Sequence, residues 1–229
     1  MNDPSRGVAV IIPALNEAER VAATVRAARS IAEVTEVIVI DDGSRDATGA
    51  RAAAAGATVV RSERNRGKAA SLLHGARAAA PGSLLLFLDA DLGDTSVHAT
   101  RLIDPVLRGE ADATIAVLPP PPGSVGGHGF VVKLARRGIL RATGWPATQP
   151  LSGQRCLTRA AFDAAVPLAS RFGVETAMTI DLLRAGMRVL EVEVPFEHRW
   201  SGRTWRDQLH RLRQFADVAL ALAGRRSAT

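Results

Sequence analysis

The chain has 229 residues, a hydrophobic fraction of 47% and a charged fraction of 23%, which supplies apolar surface for a sizeable core and excludes global disorder. Its net charge is +6, and all but two of its 29 basic residues are arginine, the exceptions being Lys68 and Lys133. The arginine bias reads either as source-genome composition or as a surface for phosphates or anionic lipid; scattered basic residues without interleaved aromatics count against nucleic acid.

Cys156 is alone, which excludes an intrachain disulfide and a cysteine-based zinc site and fits a reducing cytoplasm. No basic region with an apolar signal core opens the chain. The longest apolar stretches, Leu84–Leu88 and Val218–Ala223, fall short of the ~20 residues that span a bilayer. The expected location is the cytoplasm, at most peripheral at the inner face of the membrane.

In chain order, Val8–Ile12 is a continuous β-rich run suited to a strand buried on both faces. A helix is expected over Ala18–Ile31, a second strand over Glu36–Ile40, a short helix between Asp46 and Gly56, and a third strand at Thr58–Arg61. Asn65-Arg-Gly-Lys68 leads into a helix over Ala69–Ala80, and Leu84–Leu88 is a fourth strand running into Asp89-Ala-Asp91. A helix at Val97–Arg108 and a strand at Ala113–Val117 complete the series. Four strand–helix units argue for a doubly wound α/β sheet. Pro119–Gly129 breaks the rhythm as a Pro/Gly-rich loop. Beyond it come a basic amphipathic stretch (Phe130–Arg141), a turn at Gly144-Trp-Pro146 and the segment Leu151-Ser-Gly-Gln-Arg155. Helical pieces at Phe162–Ala165 and Thr176–Ala185, a strand at Val189–Val194 and a last helix over Trp205–Ala223 follow. The whole reads as one domain, 1–229, with 8–117, 118–204 and 205–223 as its parts.

Open α/β sheets bind ligands at the carboxyl ends of their strands, and three such ends here carry Asn16/Glu17, Asp41/Asp42 and Asp89/Asp91. Any one of them reads equally as a helix cap; three together, with Gly67-Lys68 on a fourth connection, point to a ligand. Residues i and i+2 of an extended segment share a face, so Asp89 and Asp91 can turn toward one hard cation, Mg²⁺ or Mn²⁺, that bridges a diphosphate. Lys68, at the start of a helix, either meets that diphosphate beside backbone N–H groups or is a solvated lysine.

These motifs together resemble the family 2 glycosyltransferases and their GT-A relatives: Val-Ala-Val-Ile-Ile-Pro-Ala-Leu-Asn-Glu, Val-Ile-Val-Ile-Asp-Asp-Gly-Ser, Asn-Arg-Gly-Lys and Phe-Leu-Asp-Ala-Asp occur in the expected order. Leu151-Ser-Gly-Gln154, Phe172-Gly-Val-Glu175 and Glu197-His-Arg199 look like counterparts in the glucosyl-3-phosphoglycerate synthase branch. The resemblance implies a GT-A fold, with a mostly parallel Rossmann-like sheet, and a hexosyltransferase using a nucleotide-sugar, UDP-sugar favoured. It implies that Pro13, Ala14, Leu15, Glu17, Asp42, Ser44, Lys68, Asp89 and Ala90 hold the nucleotide-sugar, with Asp91 and His198 ligating Mg²⁺ or Mn²⁺. Ser152, Gly153, Gln154 and Arg199 would face the acceptor.

Glu175 is the catalytic candidate beside Asp89, as general base if transfer inverts the anomeric centre or as an orienting group if it retains it. Many inverting members carry Glu-Asp where this chain has Glu175-Thr176, so the base role stays open, as does a helix cap. Lys133, Arg136, Arg137 and Arg141 share a helix face, suited to a small phosphorylated acceptor, a lipid phosphate at a membrane, or plain solvent. Trp205, Leu209, Leu212, Ala216 and Ala219 form an apolar stripe, read as packing on the domain or on a homodimer partner, with membrane binding as the alternative. Nucleotidylyl transfer and dinucleotide oxidoreduction each need a Gly-rich first loop, and here the strand ends in Pro-Ala-Leu-Asn-Glu. A non-catalytic nucleotide-binding protein remains the competing class.

Overall fold

Val8–Ala14 forms β1, the strand from which the fold is laid out in both directions. A computed structural model describes residues 7–119, 129–169 and 173–197. Most of the loop at 119–129, together with Phe172, His198, Arg199 and the helix expected over 205–223, lies outside the described residues.

From β1 the chain passes through α1 (Val21–Arg29) to β2 (Val34–Asp41), then through α2 (Thr48–Ala54) to β3 (Thr58–Arg61). Helix α3 (Lys68–Ala78) carries it back across to β4 (Leu84–Phe87) on the other side of β1. A 3₁₀ segment (Gly93–Ala99) and α4 (Thr100–Leu107) lead to β5 (Ala113–Val117). After α5 (Phe130–Thr143) come β6 (Arg155–Leu157), α6 (Arg159–Ala164), α7 (Val174–Arg184) and β7 (Val189–Glu193). The seven strands form one sheet in the order β3-β2-β1-β4-β6-β5-β7.

The two faces of β1 explain its unbroken apolar sequence. Val8, Val10 and Ile12 pack with Val21, Val25 and Ala28 of α1 on one side, whereas Ala9 and Ile11 join Leu72 and Ala76 of α3 on the other. A strand covered by helices on both faces has no polar side to alternate with. Gly75 of α3 lies directly on Ile11, and even a Cβ there would overlap the Ile11 side chain.

The mostly parallel α/β sheet expected from the sequence is present, with one feature that the periodicity did not foreshadow. Strand β6 is antiparallel to both β4 and β5, aligning Arg155 with Phe87 on one side and Ile115 on the other. It is three residues long and fully buried. Runs this short carry almost no periodic signal, and an Arg-Cys pair does not advertise a strand. The second helix after it starts at Val174 rather than Thr176, and α6 starts at Arg159, with the Thr158 hydroxyl accepting from the Ala161 N–H as its cap.

Gly75→Val is expected to destabilise the fold by about 1–3 kcal/mol through overpacking against Ile11. The check is the midpoint of urea unfolding; an unchanged midpoint would mean that α3 can move off β1 freely.

Candidate nucleotide-sugar site

The chain turns left from β1 to β2 and β3 and only later right to β4, so the loops after β1 and β4 diverge and leave a crevice between them. A cavity of about 660 Å³ occupies that crevice. Pro13, Ala14, Leu15 and Glu17 line it from β1, Asp42 from β2, and Asp89, Ala90 and Asp91 from β4. Asn65, Gly67, Lys68 and Ser71 line it from the start of α3, and Glu175 from α7.

Its floor is an alternation of charges. The Lys68 ammonium donates to Asp89 Oδ1 at 2.9 Å and lies 3.1 Å from Glu175 Oε1. The other Asp89 oxygen accepts from Gln154 Nε2. Burial alone would depress the Lys68 pKa, but Asp89 and Glu175 override it and hold the ammonium above the ordinary lysine value. Its side chain is 30% exposed, so the positive charge remains within reach of a ligand in the cavity.

The local backbone sets these groups. Gly67 has φ +87° immediately before α3, a conformation that suits glycine. Both carboxylate oxygens of Asp42 are occupied in holding this turn, accepting from the Arg66 and Gly67 N–H groups at 2.8 Å each. Gly153 passes so close to Lys68 that an added Cβ would collide with the ammonium.

The loop after β4 is pinned by a residue that the sequence reading did not single out. The Thr24 hydroxyl of α1 donates to the Ala90 carbonyl and accepts from the Gly93 N–H, both at 2.8 Å. Thr24 is wholly buried among Val21, Val25 and Ala28; a hydroxyl on the apolar stripe of a helix was the available signal. Arg20 donates to the Asp91 carbonyl at 3.2 Å.

Of the residues expected to hold a donor, Ser44 stands apart. It is buried, its hydroxyl accepts from the Asn16 N–H, and it does not line the cavity. Ser152 and Gln154 lie behind the floor, where the Ser152 hydroxyl donates to Gln154 Oε1. His198 and Arg199 fall outside the described residues. Among the described residues no three His, Cys, Asp or Glu side chains cluster as a metal site. Asp91 and Asp89 both line the cavity, two residues apart at the end of β4. That donor chemistry fits a hard cation that takes one or two carboxylates and draws its remaining oxygens from phosphate and water. The expected basic stripe on α5 is divided: Lys133, Arg137 and Arg141 are exposed, whereas Arg136 turns back to donate to the Thr148 carbonyl.

Residues 9–148 match the profile of the family described as Glycosyl transferase family 2. The chain belongs to that family. Among curated family 2 relatives, a glucosyl-3-phosphoglycerate synthase of Mycolicibacterium smegmatis is 33% identical over 195 residues, covering 77% of this chain and 64% of the relative. The one from Mycolicibacterium paratuberculosis is 31% identical over 198 residues, covering 77% and 60%. The chain thus spans about 60% of the length of these relatives. In three dimensions it is similar to glucosyl-3-phosphoglycerate synthase from Mycobacterium tuberculosis in complex with Mn²⁺, UDP and phosphoglyceric acid, with a TM-score of 0.80 and 28% identity over 98% of this chain and 80% of that one. A further structure of that synthase holds Mg²⁺ and UDP.

Gly153→Ala is expected to displace the Lys68 ammonium and open its contacts with Asp89 and Glu175 while leaving stability nearly unchanged, because the colliding atom is the end of a flexible side chain. A crystal structure of the variant, alongside thermal unfolding, checks both halves of this expectation. The two lysines should also label differently: with a limiting amine-reactive ester at mild alkaline pH, exposed Lys133 reacts well before Lys68, whose proton is held by two carboxylates. Peptide mass mapping reads the ratio, and equal labelling would contradict the ion pairing.

Proposed function

We propose that this chain is a metal-dependent hexosyltransferase that takes its sugar from a nucleotide-sugar, a UDP-sugar in the favoured reading, and delivers it to a small phosphorylated acceptor. The observation that carries the reading is the Asp89–Lys68–Glu175 alternation on the floor of a cavity at the switch point of the sheet. It is supported by the family match and by the similarity to a synthase whose structure holds UDP, Mn²⁺ and phosphoglyceric acid.

In this reading Pro13, Ala14, Leu15 and Glu17 form the wall for the nucleoside, and Lys68 turns its ammonium from the carboxylates to the diphosphate. Asp42 acts through the turn that it holds by accepting from Arg66 and Gly67, which sets the start of α3 toward the same anion. Asp91, with His198 proposed as its partner, would hold Mg²⁺ or Mn²⁺, which neutralises charge on the departing diphosphate. Asp89, fixed by Lys68 and Gln154, receives the sugar hydroxyls. Glu175 sits 3.1 Å from the Lys68 ammonium at the edge of the cavity. Its assigned role is to orient the acceptor and steady positive charge at the sugar, which leaves the stereochemical outcome to experiment.

A second reading concerns the acceptor. Helix α5 exposes Lys133, Arg137 and Arg141 together with Phe130 (71% exposed) and Leu140 (49% exposed). A basic helix face carrying apolar side chains favours a lipid-linked phosphate presented at an anionic membrane. No described helix is long and apolar enough to cross a membrane.

The test is UDP release from UDP-sugars with Mn²⁺ or Mg²⁺, comparing phosphoglycerate, other small phosphorylated acids and polyprenyl phosphate in vesicles. Asp91→Ala is expected to lower turnover by about 10²–10³-fold, the scale of losing one electrostatic stabiliser. Unchanged turnover and metal dependence in Asp91→Ala would overturn the reading. UDP-sugar that raises the melting temperature with no acceptor consumed would instead leave a binding protein.

A further inference from the structure

Arg155, the first residue of β6, is a deeply buried charged side chain, with 1% of its surface exposed. It lies inside the sheet, paired between Phe87 of β4 and Ile115 of β5. Its Nε donates to the Ser152 carbonyl at 2.9 Å, and one terminal nitrogen donates to Thr179 Oγ1 at 3.0 Å. The other terminal nitrogen, Nη2, is buried without a hydrogen-bond partner. A guanidinium is rarely placed so deep without a carboxylate bonded to it, because desolvation opposes the charge.

The arrangement becomes intelligible from what surrounds it. Thr179 passes the contact on, its hydroxyl donating to the Glu175 carbonyl at 3.0 Å. Arg155 and Glu175 line the same small void beneath Lys68, with Gly153 on its other side. The Ser152 end is equally connected, since Ser152 donates to Gln154, which in turn donates to Asp89. One buried cation thus clasps the two segments that deliver Glu175 and Gln154 to the cavity floor.

We propose that Arg155 is a positioning residue, holding the first turn of α7 and the 152–154 segment in register so that Glu175 and Gln154 keep Lys68 and Asp89 in their working geometry. It touches no donor-lining surface itself; its action passes through Thr179 to Glu175 and through Ser152 to Gln154 and Asp89. Burial lowers its pKa to about 10, opposed by the carboxylates of Glu175 and Glu191, so it keeps its charge near neutral pH. The two carboxylates reach it from α7 and β7, and Lys68 faces Glu175 from α3.

The experiment compares Arg155→Met, which keeps length and removes charge and donors, with Arg155→Lys, which keeps the charge but not the planar fork. Thr179→Val serves as a second route that breaks the same relay at constant volume. In crystal structures of the variants, the Lys68–Glu175 contact is expected to open beyond hydrogen-bond reach in Arg155→Met and Thr179→Val and to persist in Arg155→Lys. This arm needs no turnover.

The kinetic arm rests on the transferase reading. Arg155→Met should lower kcat about 30-fold while the KM for the donor stays within about twofold, and Arg155→Lys should recover most of the loss. Placed on Glu175→Gln, Arg155→Met should add less than about threefold, because the two act as one unit. A retained Lys68–Glu175 contact in Arg155→Met, or losses that multiply with Glu175→Gln, would overturn the proposal. A parent protein with no transfer activity would sink the transferase reading alone, leaving the structural arm to decide the role of Arg155.

Discussion

A lysine ammonium held between two carboxylates is the contact on which the site depends. Lys68 is the point where α3, the end of β4 and the start of α7 meet, and each supplies one charge. Taken separately, the three groups would each lose hydration on entering the crevice; together they offset one another, and partial exposure limits what they lose. The same contact makes the site responsive. In the proposed reading a diphosphate replaces the carboxylates as the partner of Lys68, exchanging one charge-assisted contact for another of similar strength. Binding then rearranges an ion pair that already exists, with little new ordering of side chains.

Around that contact, the rigidity comes from buried hydroxyls and carboxylates that bond to backbone. Thr24 fixes the loop of Asp89 and Asp91 from α1, and Asp42 fixes the turn before Lys68 from β2. Asn16, in the left-handed region at φ +57°, donates its N–H to Ser44 and accepts from the Arg45 N–H, joining the loops after β1 and β2. Each such bond contributes on the order of 1 kcal/mol net. Their larger effect is to leave the loops at the strand ends few alternative conformations, which is what a site for a multiply charged ligand needs.

Legibility in the sequence followed the range of the interaction involved. Strands such as Thr58–Arg61 and Ala113–Val117 coincide with their expected limits because apolar runs between turn residues are local signals. Glu17, Asp42, Lys68 and Asp89 line one cavity because a doubly wound sheet brings its strand ends to one crevice, so these four could be gathered from position alone. Ser44, placed at the nucleotide only by the family resemblance, follows the same strand end as Asp42, yet its hydroxyl is turned to Asn16. The contacts of Thr24 with Ala90 and of Arg155 with Thr179 join residues 66 and 24 positions apart. No window of sequence contains both partners, and a buried threonine or arginine looks ordinary until its neighbours are known.

Strand β6 bears on how such a chain can be divided. It enters the sheet between β4 and β5, and β5 has only β6 and β7 as neighbours. The segment that matches the family profile stops at residue 148, before either of them. A fragment cut there would contain the loops after β1, β2 and β4 that line the cavity and yet present β5 with no strand to bond to and β4 with a bare apolar edge. Exposed edges of that kind pair with other chains. The two parts of the chain, before and after residue 148, are interleaved strand by strand, and the second closes the sheet that the first begins.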